Sequence, residues 1–256
     1  MPAISSLSLY AVPGLPLVEP GDDLAGLIAK ALRSADVGLH NGDIIVVAQK
    51  IVSKADGLYV ALDTIDPSDR ARELAALAGK DPRHVEIVLS ETEEIVKAGP
   101  HAIVSAHKRG FVMANAGIDE SNIDHKDGPR VLLLPRDPDA SASALKAGLD
   151  REFGVACGVV INDSFGRPWR NGVVGVALGA AGIPSLVDRI GAEDLFGRKL
   201  KATEIAVGDA LASAASLLMG EADEGLPVVL VRGYSNPAPE RPASALIRSR
   251  DRDMFR

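Results

Sequence analysis

Val155-Ala156-Cys157-Gly158-Val159-Val160-Ile161-Asn162-Asp163-Ser164 is the stretch that decides the fold. Its first seven residues carry no charge and are rich in β-branched side chains, the composition of a buried strand. The run is far short of the roughly 20 apolar residues needed to cross a bilayer. It then stops on an amide, a carboxylate and a hydroxyl. Ligands of open α/β sheets collect at the carboxyl ends of such strands, so an acid placed there can meet a bound cation. Cys157 is the only cysteine of the chain and lies inside the run. It has no disulfide partner and reads as a core thiol rather than a reactive one.

Outward from this stretch the elements alternate in type. Residues 44–48 form a second buried strand, introduced by the turn signal Asn41-Gly42-Asp43. Before it, Leu24, Leu27, Ile28, Ala31 and Leu32 recur at helical spacing behind Gly21-Asp22-Asp23. Helices are expected over residues 68–78 and 82–97. Residues 102–105 and 111–114 flank Lys108-Arg109-Gly110 as a hairpin, and residues 131–134 form a short strand stopped by Pro135. Asp139 and Ser141 are candidate caps for a helix running toward Phe153. A long helix over residues 203–219 closes at Gly220, and residues 227–231 form a last strand. The class is mixed α/β or α+β, and no linker divides residues 1–256 into two domains.

The chain's 256 residues suffice for a sizeable core, and 46% hydrophobic with 25% charged residues are globular proportions. A net charge of -7 and 4% aromatic residues leave neither a basic field nor a stacking platform for nucleic acid. The first ten residues hold no basic residue and no apolar stretch of signal-peptide length. A cytoplasmic protein with neither a membrane nor a nucleic-acid partner is the expectation.

Neither standard phosphate loop is present, the five histidines lack zinc-ligand spacing, and no G-x-S-x-G occurs. Three acidic sites stand out instead. They are Asn115-Ala116-Gly117-Ile118-Asp119-Glu120-Ser121-Asn122, Asn162-Asp163-Ser164, and Glu221-Ala222-Asp223-Glu224 just past the long helix. Acids at that last place oppose the helix dipole by roughly 0.3–1 kcal/mol each. Singly, each site also reads as a turn or a solvated loop. Jointly they favour a hard cation, Mg²⁺ or Mn²⁺, which prefers carboxylate and hydroxyl oxygens. Lys50 and Lys54 lie along or just beyond a strand, where an extended backbone would point both to one face. Arg167 and Arg170 sit with Gly166 and Gly172 beside Asp163. Cations near metal-binding acids suit a phosphorylated ligand. Gly172, Gly175, Gly179 and Gly182 read as close backbone packing rather than phosphate contact.

Further motifs follow in order. They are Pro13-Gly14-Leu15-Pro16, Gly42-Asp43-Ile44-Ile45-Val46-Val47 leading to Ser53-Lys54, and Arg170-Asn171-Gly172-Val173-Val174-Gly175. Asp194-Leu195-Phe196-Gly197-Arg198, Leu218-Met219-Gly220-Glu221 and Val231-Arg232-Gly233 come after them. With the acidic sites they run through nearly the whole chain, which resembles the coenzyme F420-0:L-glutamate ligase family, the γ-glutamyl ligases that finish coenzyme F420. The resemblance implies a family-specific fold with mixed sheets and flanking helices, assembled as a homodimer. It implies a GTP-dependent ligase that joins L-glutamate to the terminal carboxylate of F420-0 through an acyl phosphate and can add further γ-linked glutamates.

By the same resemblance Asp119 and Asp163 hold one divalent metal, Ser164 and Glu221 belong to a second, and a monovalent cation such as K⁺ is a further expectation. Asp119, Asp163 and Lys54 are the implied catalytic residues. Gln49, Lys50, Lys54 and Asn122 are implied nucleotide contacts. Pro13, Gly14, Leu15 and Pro16, with Met219, Gly220, Glu221, Ala222, Asp223, Glu224, Gly225 and Leu226, correspond to GTP-binding stretches. Ser164 stands where many relatives have threonine, so the hydroxyl remains and the methyl is lost. Some bacterial relatives continue into a flavin-binding, nitroreductase-like domain, and with the sequence ending at Arg256 that second activity is expected to be missing. The competing readings are a metal-dependent GTP-using phosphotransferase or ligase on another carboxylic acid, and a nucleotide-binding regulator without turnover.

Overall fold

The computed structural model describes residues 6–254; residues 1–5, half of the stretch read above for a leader, and residues 255–256 lie outside them. In chain order the elements are β1 (Ser8–Ala11), α1 (Leu24–Ser34), β2 (Ile44–Ala48), α2 (Gln49–Ala55), β3 (Tyr59–Ala61), α3 (Asp69–Ala78), α4 (Pro82–Glu91), β4 (Thr92–Gly99), β5 (Ala102–His107) and β6 (Val112–Ala114). There follow β7 (Arg130–Leu132), α5 (Pro138–Phe153), β8 (Gly158–Arg167), β9 (Arg170–Ala181), β10 (Leu186–Asp188), β11 (Glu204–Ala206), α6 (Val207–Met219) and β12 (Val228–Arg232).

The two apolar runs that decide the fold, β2 and β8, lie side by side and parallel inside a five-stranded sheet of order β1-β12-β2-β8-β9. Their hydrophobicity is continuous because both faces are covered. Ile45, Val47, Val159 and Ile161 pack with Ile28 and Leu32 of α1 and Leu145 and Leu149 of α5. The alternate residues Ile44, Val46 and Val160 pack with Leu211, Ala212 and Ala215 of α6. Around residues 59–132 a smaller layer gathers α3, α4, the β4-β5-β6 sheet and the β3-β7 pair over a core that includes Leu74, Val85, Ile103 and Val131. The mixed α/β class is therefore observed. Among the described residues no helix is long and apolar enough to cross a membrane.

Several expected boundaries shift. The helix expected over residues 82–97 ends at Glu91; Thr92 turns extended at φ -97, ψ 137, and β4 pairs with β5. The long helix begins at Val207 rather than near residue 203, because residues 204–206 pair with β10. The strand expected over residues 155–161 starts at Gly158 and runs on to Arg167, so Asp163 and Ser164 stand within it and not beyond its end. The carboxyl end of the parallel pair nonetheless falls there, since β2 leaves β8 at the Ala48–Asn162 pairing.

Asp139 does not cap α5. Asp137 does, accepting from the Ala140 N–H at 2.9 Å. Asp139 Oδ1 instead accepts from the N–H groups of Ala180 (2.9 Å) and Ala243 (2.8 Å), and its Oδ2 from that of Ser244 (3.1 Å). β9 is an edge strand, and Asp209 Oδ1 likewise takes its Ala177 N–H at 3.0 Å. An added Cβ at Gly175 would strike the Ala212 carbonyl, and one at Gly179 the Pro138 carbonyl, so both are packing glycines. Gly172 instead has φ +84 and open space around it, a turn position. Cys157 is buried, and that burial, with Asp150 beside it, pushes its thiol up to about 12, as a core thiol requires.

Candidate functional site

Four chain stretches converge at one end of the main sheet. Val47 pairs with both Ile161 and Val228, and the Val12 N–H donates to the Val228 carbonyl at 2.9 Å. The loop from Pro13, helix α2 from Gln49, the β8 extension from Asn162 and the loop that enters β12 therefore all leave the sheet at this level.

Lys50 and Lys54 are helical, not extended: α2 starts directly after β2 with no intervening turn residue. A spacing of four keeps both lysines on one face in either geometry. The Ser53 hydroxyl donates to Gln49 Oε1 (3.1 Å), and Gln49 Nε2 donates to Asp119 Oδ2 (2.6 Å). Lys50 Nζ lies 3.4 Å from Asp119 Oδ1 and donates to Ser121 Oγ (3.3 Å). Lys54 Nζ donates to the Asn122 carbonyl (2.6 Å), and Asn122 Nδ2 to the Ala222 carbonyl (2.8 Å). One network thus joins α2, the Asp119–Asn122 segment and the acidic loop after α6.

Asp119 is held by unusual backbone. Asn115, Ala116 and Gly117 are all left-handed, at φ 50, 52 and 68. For alanine this is strained, and the surroundings over-determine it. Ser105 Oγ accepts from the Ala116 N–H (3.1 Å), and Asn115 Oδ1 accepts from the Ile103 N–H (3.2 Å). Asp119 then exchanges both backbone hydrogen bonds with Leu132 (3.0 and 2.9 Å), which fixes its side chain opposite β8.

Alternation along β8 puts Asp163 on the α1/α5 face and its neighbours Asn162 and Ser164 on the α6 face. Asn162 Nδ2 donates to Ser216 Oγ (3.1 Å) and approaches Met219 Sδ (3.4 Å), while its buried Oδ1 has no partner among the described residues. Asp163 keeps a little surface at a cleft, yet burial, then the Asp119 carboxylate and more weakly Glu221, push it up to about 7. Burial also raises Asp119, against the pull of Lys50 and Gln49. Burial, then Lys50 and Arg130, lower Lys54. The carboxylates of Asp163 and Asp119 and the ammonium of Lys54 are thus each disfavoured in their charged forms, as often holds at functional sites.

Among the described residues no three acidic, histidine or cysteine side chains already surround one point. The donor chemistry still fits a hard cation, because the Asp119 and Asp163 carboxylates line one cleft with Ser164 and the Asp119 charge raises the cost of charging Asp163. Glu221, Asp223 and Glu224 are exposed. Glu224 is lowered by backbone hydrogen bonds, and its Oε2 accepts from the Ala222 N–H at 2.8 Å, so part of the acidic loop is balanced by its own main chain. Pro13, Gly14 and Pro16 are exposed at the same sheet end, with Gly14 at φ +80.

Sequence reading assigned no role to Ser121 or Asn162, although both lay inside stretches it singled out. It also missed the contact of His84 Nδ1 with Glu120 Oε1 (2.6 Å), for which no local signal exists because the partners are 36 positions apart. A cleft of about 130 Å³ opens between β6 and β8, lined by Met113, Ala114, Gly117, Ile118, Asp119, Asp163, Ser164, Phe165 and Gly166. A larger cavity of about 370 Å³, beside α5 and the end of β9, contains none of these groups. Its Lys146 and Asp150 satisfy each other at 2.5 Å, so the smaller cleft is where chemistry is expected.

Fold and site define an α/β protein that gathers carboxylates, hydroxyls and lysines where parallel strands end, an arrangement suited to anionic ligands and hard cations. The chain belongs to the F420-0:gamma-glutamyl ligase family, whose model matches residues 14–233. It is 49% identical over 261 residues to the coenzyme F420:L-glutamate ligase of Methanopyrus kandleri, covering 100% of both chains. To the protein of that name in Methanothermobacter thermautotrophicus it is 49% identical, over 98% of this chain and 99% of the relative. To that of Haloarcula marismortui it is 42% identical, over 89% and 88%.

Proposed function

We propose that the protein joins L-glutamate to the terminal carboxylate of coenzyme F420-0, using GTP. The observation that carries this reading is the network linking Gln49, Lys50 and Lys54 through Asp119 and Asn122 to the loop at Ala222, in a chain whose full-length relatives bear that ligase name. Hydroxide is a poor leaving group, so a carboxylate needs activation before an amine can displace its oxygen. The GTP γ-phosphoryl group passes to that carboxylate to give an acyl phosphate; the glutamate amine attacks the acyl carbon, phosphate leaves, and the amine proton is lost to solvent or base.

Lys50 and Lys54 orient the nucleotide phosphates, and the anion favours the charged form of Lys54 that burial disfavours. Asn122 ties the phosphate-binding helix to the loop over the other side of the nucleotide. Asp119 and Asp163 would hold one divalent ion, with Ser164 and Glu221 at a second. Bound Mg²⁺ or Mn²⁺ supplies neutralisation of phosphate charge. A monovalent cation such as K⁺ and a homodimeric assembly are part of the same reading, as is extension by further γ-linked glutamates.

The test is phosphate release from GTP measured with F420-0 and L-glutamate together and with each omitted. Release that needs both, with a product one glutamyl residue heavier, is expected. Release with neither, or with an unrelated carboxylic acid replacing F420-0, would overturn the reading.

A further inference from the structure

Helix α2 presents two i, i+4 pairs side by side, and they lie in different surroundings. Lys50 and Lys54 are half-buried and reach the site, whereas Gln49 is 2% exposed and Ser53 not at all. Because α2 starts at Gln49 directly after β2, this amide enters the interior at the sheet end, within reach of Asp119. A carboxylate only accepts, so the amide turns Nε2 toward Asp119 Oδ2, at 2.6 Å. Its Oε1 is then left to take the Ser53 proton, at 3.1 Å. Ser53 orders Gln49, and Gln49 orders Asp119.

The backbone leaves a task for such a relay. Residues 115–117 and the exchange with Leu132 fix the Cα of Asp119, but two side-chain torsions still decide where its oxygens point. Gln49 sets them from the buried side, engaging Oδ2 and leaving Oδ1 toward Lys50 at 3.4 Å. Carboxylates that ligate metals are held by outer partners of this kind, and losing one costs roughly 10- to 100-fold in metal affinity. The family resemblance places Gln49 among the nucleotide contacts. Its burial and its two engaged ends leave a phosphate or a base almost no surface to meet. We propose that Gln49 is a positioning residue, oriented by Ser53, that fixes the Asp119 carboxylate for the divalent ion and does not touch the nucleotide. The assignment rests on the ligase reading above, in which Asp119 holds that ion. It divides α2 into an inner pair that serves the metal and an outer pair of lysines that serves the nucleotide.

The experiment titrates Mn²⁺ by calorimetry into chelator-treated wild type, Gln49→Met, Ser53→Ala and the double variant, with steady-state ligation at saturating Mn²⁺ alongside. Gln49→Met should raise the Mn²⁺ dissociation constant on the order of 10- to 100-fold, with the GTP KM within about twofold. Ser53→Ala removes one hydroxyl that has no exposed surface, so its smaller rise in the same constant must run through Gln49. Adding it to Gln49→Met should then change nothing further, because the relay is already cut. Additive losses in the double variant would overturn the assignment. So would a GTP KM that rises in Gln49→Met while the Mn²⁺ constant stays put, the mark of a nucleotide contact. Should Gln49→Met not fold, an unmoved Mn²⁺ constant in Ser53→Ala would overturn the assignment by itself. A wild type that binds no Mn²⁺ would overturn the metal site and this assignment together. A wild type that binds Mn²⁺ but ligates nothing would overturn the ligase reading, and the calorimetry would still decide the role of Gln49.

Discussion

Asp163 is pushed up to about 7, first by burial and then by the Asp119 carboxylate, so in the ligand-free protein it is half protonated near neutrality. Its folded pKa exceeds the unfolded value of about 3.9, so the stability it contributes is full below that value and is lost as pH rises through about 7. Asp163→Asn keeps the neutral shape at every pH. In chelator-treated samples it should melt above wild type at pH 8 and level with it near pH 4, a difference that pH-resolved melting curves read directly. The same variant, and Asp119→Asn, should lose at least about a hundredfold in ligation, because the proposed hard-cation site would lose a carboxylate. Normal turnover at limiting Mg²⁺ would remove that residue from the metal site. Lys54→Ala should raise the apparent KM for GTP more than that for glutamate, and kinetics showing only the glutamate constant moving would place Lys54 in the amino-acid pocket. Asp119 and Asp163 stood out in the sequence because each is a carboxylate close behind an apolar run. Asn162 did not, since its partners Ser216 and Met219 lie more than fifty positions away.

At the scale of elements, Gly179→Ala should cost about 1–3 kcal/mol, because the new methyl would meet the Pro138 carbonyl and helix α5 cannot recede without uncovering the core. Chemical denaturation would show it as a lower midpoint with an unchanged slope; an unaltered midpoint would mean that α5 packs more loosely than its position implies. β2, β8 and β12 were readable from runs of buried β-branched residues, and α1 from helical spacing behind Gly21-Asp22-Asp23, of which Asp23 caps the helix. The turn from α4 into β4 was not. Residues 92–97 suit a helix locally, and only pairing with β5, which lies further along the chain, makes them a strand. Lys50 and Lys54 were misplaced for a different reason. A separation of four satisfies the periods of helix and strand alike, and α2 follows β2 with no glycine or proline to mark the change.

For the whole molecule, ligand and stability are linked. GTP with Mg²⁺ or Mn²⁺ at a hundredfold excess over its dissociation constant should add about 2.7 kcal/mol, roughly 5–10 °C in melting temperature for a chain of this size. The shift should shrink in Glu221→Gln, and equal shifts in the two proteins would make the loop after α6 a bystander. The outer margin of the main sheet has a consequence of another kind. β9 would offer free N–H groups to a neighbouring molecule, had Asp139 and Asp209 not claimed those of Ala180 and Ala177. In Asp139→Ala the margin is uncapped and residues 243–244 lose their anchor together, although every group near the cleft is untouched. Dilute samples of that variant should therefore behave as wild type does, while concentrated ones turn cloudy on standing and gain fibril-type light scattering. One carboxylate far from any chemistry thus sets how crowded a solution this protein can tolerate.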